Sequence, residues 1–289
     1  MIYLLLSILA SSVIFLIFKL FAKFKVNNLQ AIIFNYVFAC ITGIFAYSKP
    51  INFHEILISG WLIGATLLGI LFIVIFYLMA ITTQRSGLSV VSVATKMSMV
   101  IPILFGALYY KEEFGFLKLA GILLAFSAIY FASVKKKESI KIEKKNLIFP
   151  LLVFLGSGII DTSIKFLENS FVNKDDVPLF SATIFASAFL TGLLIITTQI
   201  VKNTFKFEVK NLLGGIALGI PNYFSIYFIV QALRSGSLDS STIFTINNVS
   251  IVLLSTFLGI VLFHERLLTK NWIGIVLAIL SIILITVSR

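Results

Sequence analysis

The sequence predicts an all-α integral membrane protein with ten transmembrane helices arranged as two inverted five-helix repeats. Three observations predict it. Of 289 residues, 59% are hydrophobic and 12% charged, whereas soluble domains average about 45–50% apolar and about 25% charged. A soluble globule of this size has no way to hide that much apolar surface. Apolar runs of about the 20 residues that a membrane helix needs recur along the whole chain. The two halves of the chain also resemble each other. The composition excludes a disordered chain, a coiled coil and a disulfide-rich secreted module. The one cysteine, Cys40, has no intrachain disulfide partner and cannot build a thiolate metal site.

Ten runs qualify: residues 2–22, 29–48, 56–82, 88–110, 117–134, 147–168, 178–201, 211–233, 240–263 and 271–287. The first carries no basic n-region and no small-residue cleavage site after Lys23, so a retained helix is expected rather than a signal peptide. The third and fourth are separated only by Gln84-Arg85-Ser86-Gly87. Pro150 and Pro178 stand near the starts of the sixth and seventh, where a missing N–H costs little. The longest connection, residues 135–146, is a solvated basic linker between residues 1–134 and residues 147–289.

The halves align in order. Arg85-Ser86-Gly87 recurs as Arg234-Ser235-Gly236, and Thr42-Gly43 as Thr191-Gly192, both shifted by 149. Ser11 and Lys19 recur as Ser157 and Lys165, shifted by 146. Glu112, Gly121, Ala125 and Ala128 recur as Glu265, Gly274, Ala278 and Ser281, shifted by 153. An odd number of spans per half turns the second copy upside down. Inverted repeats of this kind are frequent in secondary carriers, with the substrate site near the midplane between them.

Residues 109–131 (YYKEEFGFLKLAGILLAFSAIYF) and 262–285 (LFHERLLTKNWIGIVLAILSIILI) resemble the end of an EamA repeat, which closes its fourth helix with a Glu and opens its fifth with a Gly-containing apolar run. Pro102 matches the proline usual in the fourth helix, while the second half has no counterpart. The Trp-Gly common in the first helix is replaced by Ser11-Ser12 and Gly156-Ser157-Gly158. The chain thus resembles a ten-helix member of the drug/metabolite transporter superfamily. The resemblance implies export or exchange of small metabolites, no ATP site, and a position for the fifth and tenth helices outside the cavity.

Polar groups inside a span are costly and face the protein interior or a wet cavity. Ser89, Ser92, Lys96 and Met99 share one face of the fourth span, and Ser241, Thr245, Asn248 and Ser255 one face of the ninth. The 149-residue shift maps Ser92 onto Ser241, Lys96 onto Thr245 and Met99 onto Asn248. Two equivalent stripes suit a shared substrate cavity. A lysine at mid-span costs about 2.5–3.5 kcal/mol on the insertion scale. Lys96 therefore either bonds carbonyls near Pro102 or faces an anionic group of the cargo. Asn35, Asn222 and Tyr223 beside Pro221, and Asn247 are further substrate-binding candidates, each with an interhelical hydrogen bond as the alternative. Asp161, Lys165 and Lys19 are the coupling or charge-pair candidates. Asp161 and Lys165, four apart, suit mutual pairing, and Lys19, near a span end, suits snorkelling to the interface. Glu112 and Glu265 at span ends suit caps or gate salt-bridge partners.

No catalytic motif, cofactor fingerprint or metal-ligand cluster is legible, so the expected function is secondary transport, not enzymology, with no cofactor. The leading alternative is an integral-membrane enzyme acting on a lipid-linked or small substrate; a channel is a third reading. Expected partners are a small-molecule substrate and membrane lipids, with no nucleic acid, because the basic residues sit between apolar runs. The stripes Gly121, Ala125, Ala128 and Gly274, Ala278, Ser281 suit packing against either a helix of the same chain or a second copy in a homodimer. Of 23 Lys and Arg, 14 follow odd-numbered spans, six lie on the other face and three within spans. In a cell (inner) membrane, the positive-inside rule then puts both termini outside; family habit favours cytoplasmic termini.

Overall fold

The structure is a computed structural model that describes residues 2–47, 53–109, 115–133, 145–173, 176–234 and 240–287. Helices dominate these residues: α1 (Ile2–Lys23), α2 (Asn28–Ala46), α3 (Phe53–Ile58), α4 (Leu62–Ser86), α5 (Leu88–Met97), α6 (Val100–Tyr109), α7 (Phe116–Ser133), α8 (Lys145–Phe171), α9 (Val177–Val201), α10 (Val209–Arg234), α11 (Ser240–Phe263) and α12 (Thr269–Val287). Among the described residues, eight helical segments are long and apolar enough to cross a membrane, and two shorter apolar ones are Leu119–Ala132 and Ile148–Ile164. The protein is therefore a multi-pass membrane protein whose described residues form helices and their connections.

Two runs differ from their sequence reading. The run expected over 56–82 is divided, with a short α3 before the long α4. The run expected over 88–110 breaks between α5 and α6 at Ser98–Met99. Pro102 explains the second break, because its nitrogen has no hydrogen for the carbonyl four residues back. That carbonyl, of Ser98, accepts instead from Ile101 N at 2.9 Å, a tighter turn. The basic linker lies almost wholly outside the described residues, as does Glu112.

The chain divides into two compact units. The first comprises Met1–Leu20, Leu78–Ile159 and Phe224–Arg289. Its core includes Val93, Met97, Val100, Ala125, Ala128, Phe154, Val252 and Ile282. Here α7 and α12 pack on their small-residue stripes, so the partner of each stripe is a helix of the same chain. A Cβ at Gly121 would lie 2.6 Å from Ile285 Cγ1, and one at Gly274 would lie 2.9 Å from the Ala128 carbonyl oxygen, in contact with Ala132 as well. Ser281 Oγ donates to the Gly121 carbonyl at 2.7 Å. Asn271 joins the ends of the pair: its amide donates to the Ala132 carbonyl at 2.8 Å and its oxygen accepts from Leu268 N at 2.8 Å. One side chain thus serves orphan groups at the end of α7 and the start of α12.

The second unit comprises Phe21–Tyr77 and Ile160–Tyr223. In it α2 and α9 approach closely: a Cβ at Gly43 would meet Ala182 Cβ at 3.1 Å, and one at Gly192 would meet Ile33 Cγ1 at 2.5 Å. Buried Tyr36 packs against Phe72, Phe76 and Phe185, with ring centroids 5.7–6.4 Å apart. Asn211 accepts from Asn27 N at 2.8 Å and donates to Gln30 Oε1 at 2.6 Å, a polar knot linking the starts of α10 and α2.

Contacts within each unit come in pairs related by the sequence repeat. Gly43 against position 182 is matched by Gly192 against position 33, and Gly121 against position 285 by Gly274 against position 132. In each case both partners shift by the same interval, 149 for the first and 153 for the second.

Candidate functional site

A polar cluster gathers where α1, α4, α5 and the turn after α11 meet in the first unit. Helix α11 ends at Phe263, and His264 turns the chain with φ of 52°, the left-handed conformation common just past a helix end. The Glu265 amide reaches back to the Gly259 carbonyl at 3.0 Å. Its carboxylate points at the start of α5, whose N-cap, Gly87, supplies no side-chain cap. Both carboxylate oxygens accept from Leu88 N at 3.1 Å, and Oε1 also accepts from Lys19 Nζ at 2.9 Å. Negative charge at a helix N-terminus is favourable because free N–H groups and the dipole both point at it. Charge-assisted hydrogen bonds of this kind contribute about 1.5–3 kcal/mol each.

Space for the carboxylate comes from two glycines. A Cβ on Gly87 or on Gly259 would sit 2.7 Å from Glu265 Oε2. Gly87 also has φ of +108°, a conformation that side chains rarely adopt. Lys19 additionally donates to the Thr83 carbonyl at 3.3 Å and lies 5.9 Å from the centre of the Phe263 ring. Its ammonium therefore turns into the protein rather than snorkelling to the interface. Beside the pair opens a cavity of about 280 Å³, lined among others by Arg85, Ser86, Val90, Arg266, Leu268 and Asn271.

The other sequence-derived candidates divide between the units. In the first, Ser92 is fully buried and its hydroxyl donates to the Ser89 carbonyl of its own helix at 3.0 Å. Lys96 is half-buried in the last turn of α5, just before the break. Asn248 Nδ2 stands 4.0 Å from Met99 Sδ. Asn247 is buried, and its side-chain oxygen has no hydrogen-bond partner among the described residues. The side chains of Ser241 and Thr245 lie outside the described residues. Met99 and Asn248 are repeat equivalents, so here a position touches its own counterpart. Leu88 meets the space of Gly259 and Met99 meets Asn248, which makes α5 and α11 antiparallel.

In the second unit, Asn222 Nδ2 donates to Asn35 Oδ1 at 3.2 Å, while Asn35 Nδ2, fully buried, has no partner among the described residues. Tyr223 follows, half-buried. Asp161 is exposed on α8, and the side chain of Lys165 lies outside the described residues, so their pairing is outside them too. Among the described residues no group of His, Cys, Asp and Glu is placed to hold a metal ion. Asn271, Gln30 and Asn211 were missed by the sequence reading. Each stands near a helix end, where a polar residue reads as solvated, and their partners lie 139–184 positions away.

The sequence profile described as the EamA-like transporter family matches residues 1–134 and again 142–287. An uncharacterized protein of Haemophilus influenzae is 27% identical over 283 residues, covering 96% of this chain and 94% of its own length. A solved crystal structure shares the fold with a TM-score of 0.56 at 17% identity, covering 98% of this chain and 96% of that one.

Proposed function

The chain belongs to the EamA-like transporter family, and from that premise we propose that it is a secondary carrier working by alternating access as an exporter or exchanger. The observation that carries this reading is the family match over both halves. We read the helices as ten spans in two inverted five-helix repeats. Three facts support that arrangement: the helix α5 runs antiparallel to its sequence equivalent α11, the contacts within each unit occur in repeat-related pairs, and the shorter apolar helices fall where the fifth and sixth spans are expected.

The cargo of this reading is a small polar or amphiphilic metabolite, an amino acid or organic anion. Lys96 faces its anionic group. Asn247 and Asn35 support this with buried amide atoms that lack a protein partner among the described residues, since buried polar atoms are otherwise almost always paired. Ser241, Thr245 and Asn248 in the first unit and Asn222 and Tyr223 in the second are the further polar contacts proposed for the cargo; Ser92, fully buried with its hydroxyl on its own helix, drops out of the set, and Asp161, Lys165 and Lys19 are the charges available for coupling. The membrane is the cell (inner) membrane. The test is counterflow in proteoliposomes: saturable exchange of a labelled amino acid or organic acid is expected. Turnover of a lipid-linked substrate without flux would overturn the carrier reading in favour of an enzyme.

A further inference from the structure

We propose that the Lys19–Glu265 ion pair is a latch that closes the 280 Å³ cavity of the first unit, and that it must break for the transport cycle to turn. The proposal rests on the carrier reading above for its purpose, and on local geometry alone for its mechanism.

The geometry has four parts. The pair spans 246 positions and joins α1 to the turn after α11, so it is a tie between distant elements. Both partners border the cavity, which also reaches Val90 and Leu268. Their side chains are 21% and 12% exposed, too shielded for a floppy surface pair and too wet for a sealed core pair. Finally, Glu265 carries two loads at once. Its carboxylate neutralises Lys19 and caps α5 at Leu88 N, so releasing it frees α1 and uncaps α5 in the same step. Gly87 and Gly259, by lacking side chains, leave room for that carboxylate. A contact that is strong enough to hold, reachable by water and shared by three helices suits a closure that opens and re-forms.

Arg85 and Arg266 also border the cavity. Arg85 lies 5.0 Å from the centre of the Phe149 ring, and Arg266 is exposed. Among the described residues of that lining, Glu265 is the acidic one of four charged residues, and neutralising it leaves Lys19, Arg85 and Arg266 around the cavity. The latch therefore opens by separation of one carboxylate from one ammonium, with the remaining lining repulsive toward cations and hospitable to an anion.

The experiment measures access. Val90 borders the cavity and is 6% exposed, and Cys40 is the chain's sole native thiol. In a Cys40→Ser background, Val90→Cys is labelled with a membrane-impermeant methanethiosulfonate. Phe207→Cys, 57% exposed, serves as a control in the second unit. Glu265→Gln and Lys19→Met are each expected to raise the Val90→Cys rate by at least about fivefold, the scale of population shift that follows loss of one partly shielded ion pair. Lys19→Arg is expected to restore the slow rate, and the control rate should not change. A rate below that threshold in both Glu265→Gln and Lys19→Met, or a parallel rise at the control site, overturns the latch. Counterflow is measured separately: fast labelling in the variants with no saturable exchange by the wild-type protein would sink the carrier reading and leave the latch standing.

Discussion

Alanine at Gly274 and alanine at Gly121 should have different effects, although the two glycines are repeat equivalents on the same helix pair. At Gly274 the new Cβ would sit 2.9 Å from the Ala128 carbonyl oxygen and 2.9 Å from Ala132 Cα, both backbone atoms of α7. Backbone cannot rotate away, so α7 and α12 must separate by several tenths of an ångström. That overpacking costs about 1–3 kcal/mol. Separation also stretches the 2.7 Å bond from Ser281 Oγ to the Gly121 carbonyl, worth about 1 kcal/mol. Alanine returns about 1 kcal/mol of helix propensity, leaving a net loss of about 1–3 kcal/mol. At Gly121 the nearest atom is Ile285 Cγ1 at 2.6 Å, a side-chain atom, and Ile285 N stands at 3.3 Å. The isoleucine can shift, so strain and propensity roughly cancel. Thermal unfolding of the detergent-solubilised protein, followed by Trp61 and Trp272 fluorescence, should show Gly274→Ala lowered by about 2–12 °C and Gly121→Ala close to wild type. Equal shifts, or a wild-type Tm for Gly274→Ala, would refute the argument. Leucine at either position should impair folding outright.

Asn271→Ala removes hydrogen bonds to the Ala132 carbonyl and from Leu268 N, and should lower stability by about 2 kcal/mol; Asn271→Asp, which keeps only the acceptor, should fall between, as chemical denaturation will show. Lys96→Ala should abolish counterflow with expression unchanged, Lys96→Arg should recover part of it, and stabilisation by quaternary amines alone that persists in Lys96→Ala would refute the anion reading. The charge count places the carboxyl terminus outside, so a C-terminal reporter active only in the cytoplasm should stay dark.

How far the sequence could be read depended on the range of the physics involved. Hydropathy is a local sum, so nearly every helix was legible. The small stripes were legible too, because close approach demands small side chains wherever the partner lies, although which helix supplied the partner was not. The break at Ser98–Met99 was only half visible: Pro102 marks a disturbance, but the carbonyl it orphans is four residues upstream. Lys19 was legible as a charge-pair candidate and Glu265 as a cap or salt-bridge partner, but not as partners of each other. Near a span end, a lysine with no local acid looks like a snorkeller, and its acid stands 246 positions away. Ser92 shows the converse. A serine on a helical stripe invites a cavity, yet here the hydroxyl donates to its own helix, as many serine and threonine side chains in these helices do.

The meeting of Met99 with Asn248 has a consequence for how the protein rests. On the inverted-repeat reading proposed above, Met99 and Asn248, a position touching its own equivalent, would lie on the two-fold axis, and there the two halves cannot differ without spoiling the symmetry. They do differ: one side has a thioether next to a helix broken ahead of Pro102, the other an amide within a helix that runs unbroken past Ile251. If the halves exchange roles during a cycle, the two end states are not rotated copies of one another and do not have the same free energy. One direction of opening is then the resting one, favoured before any gradient or cargo acts.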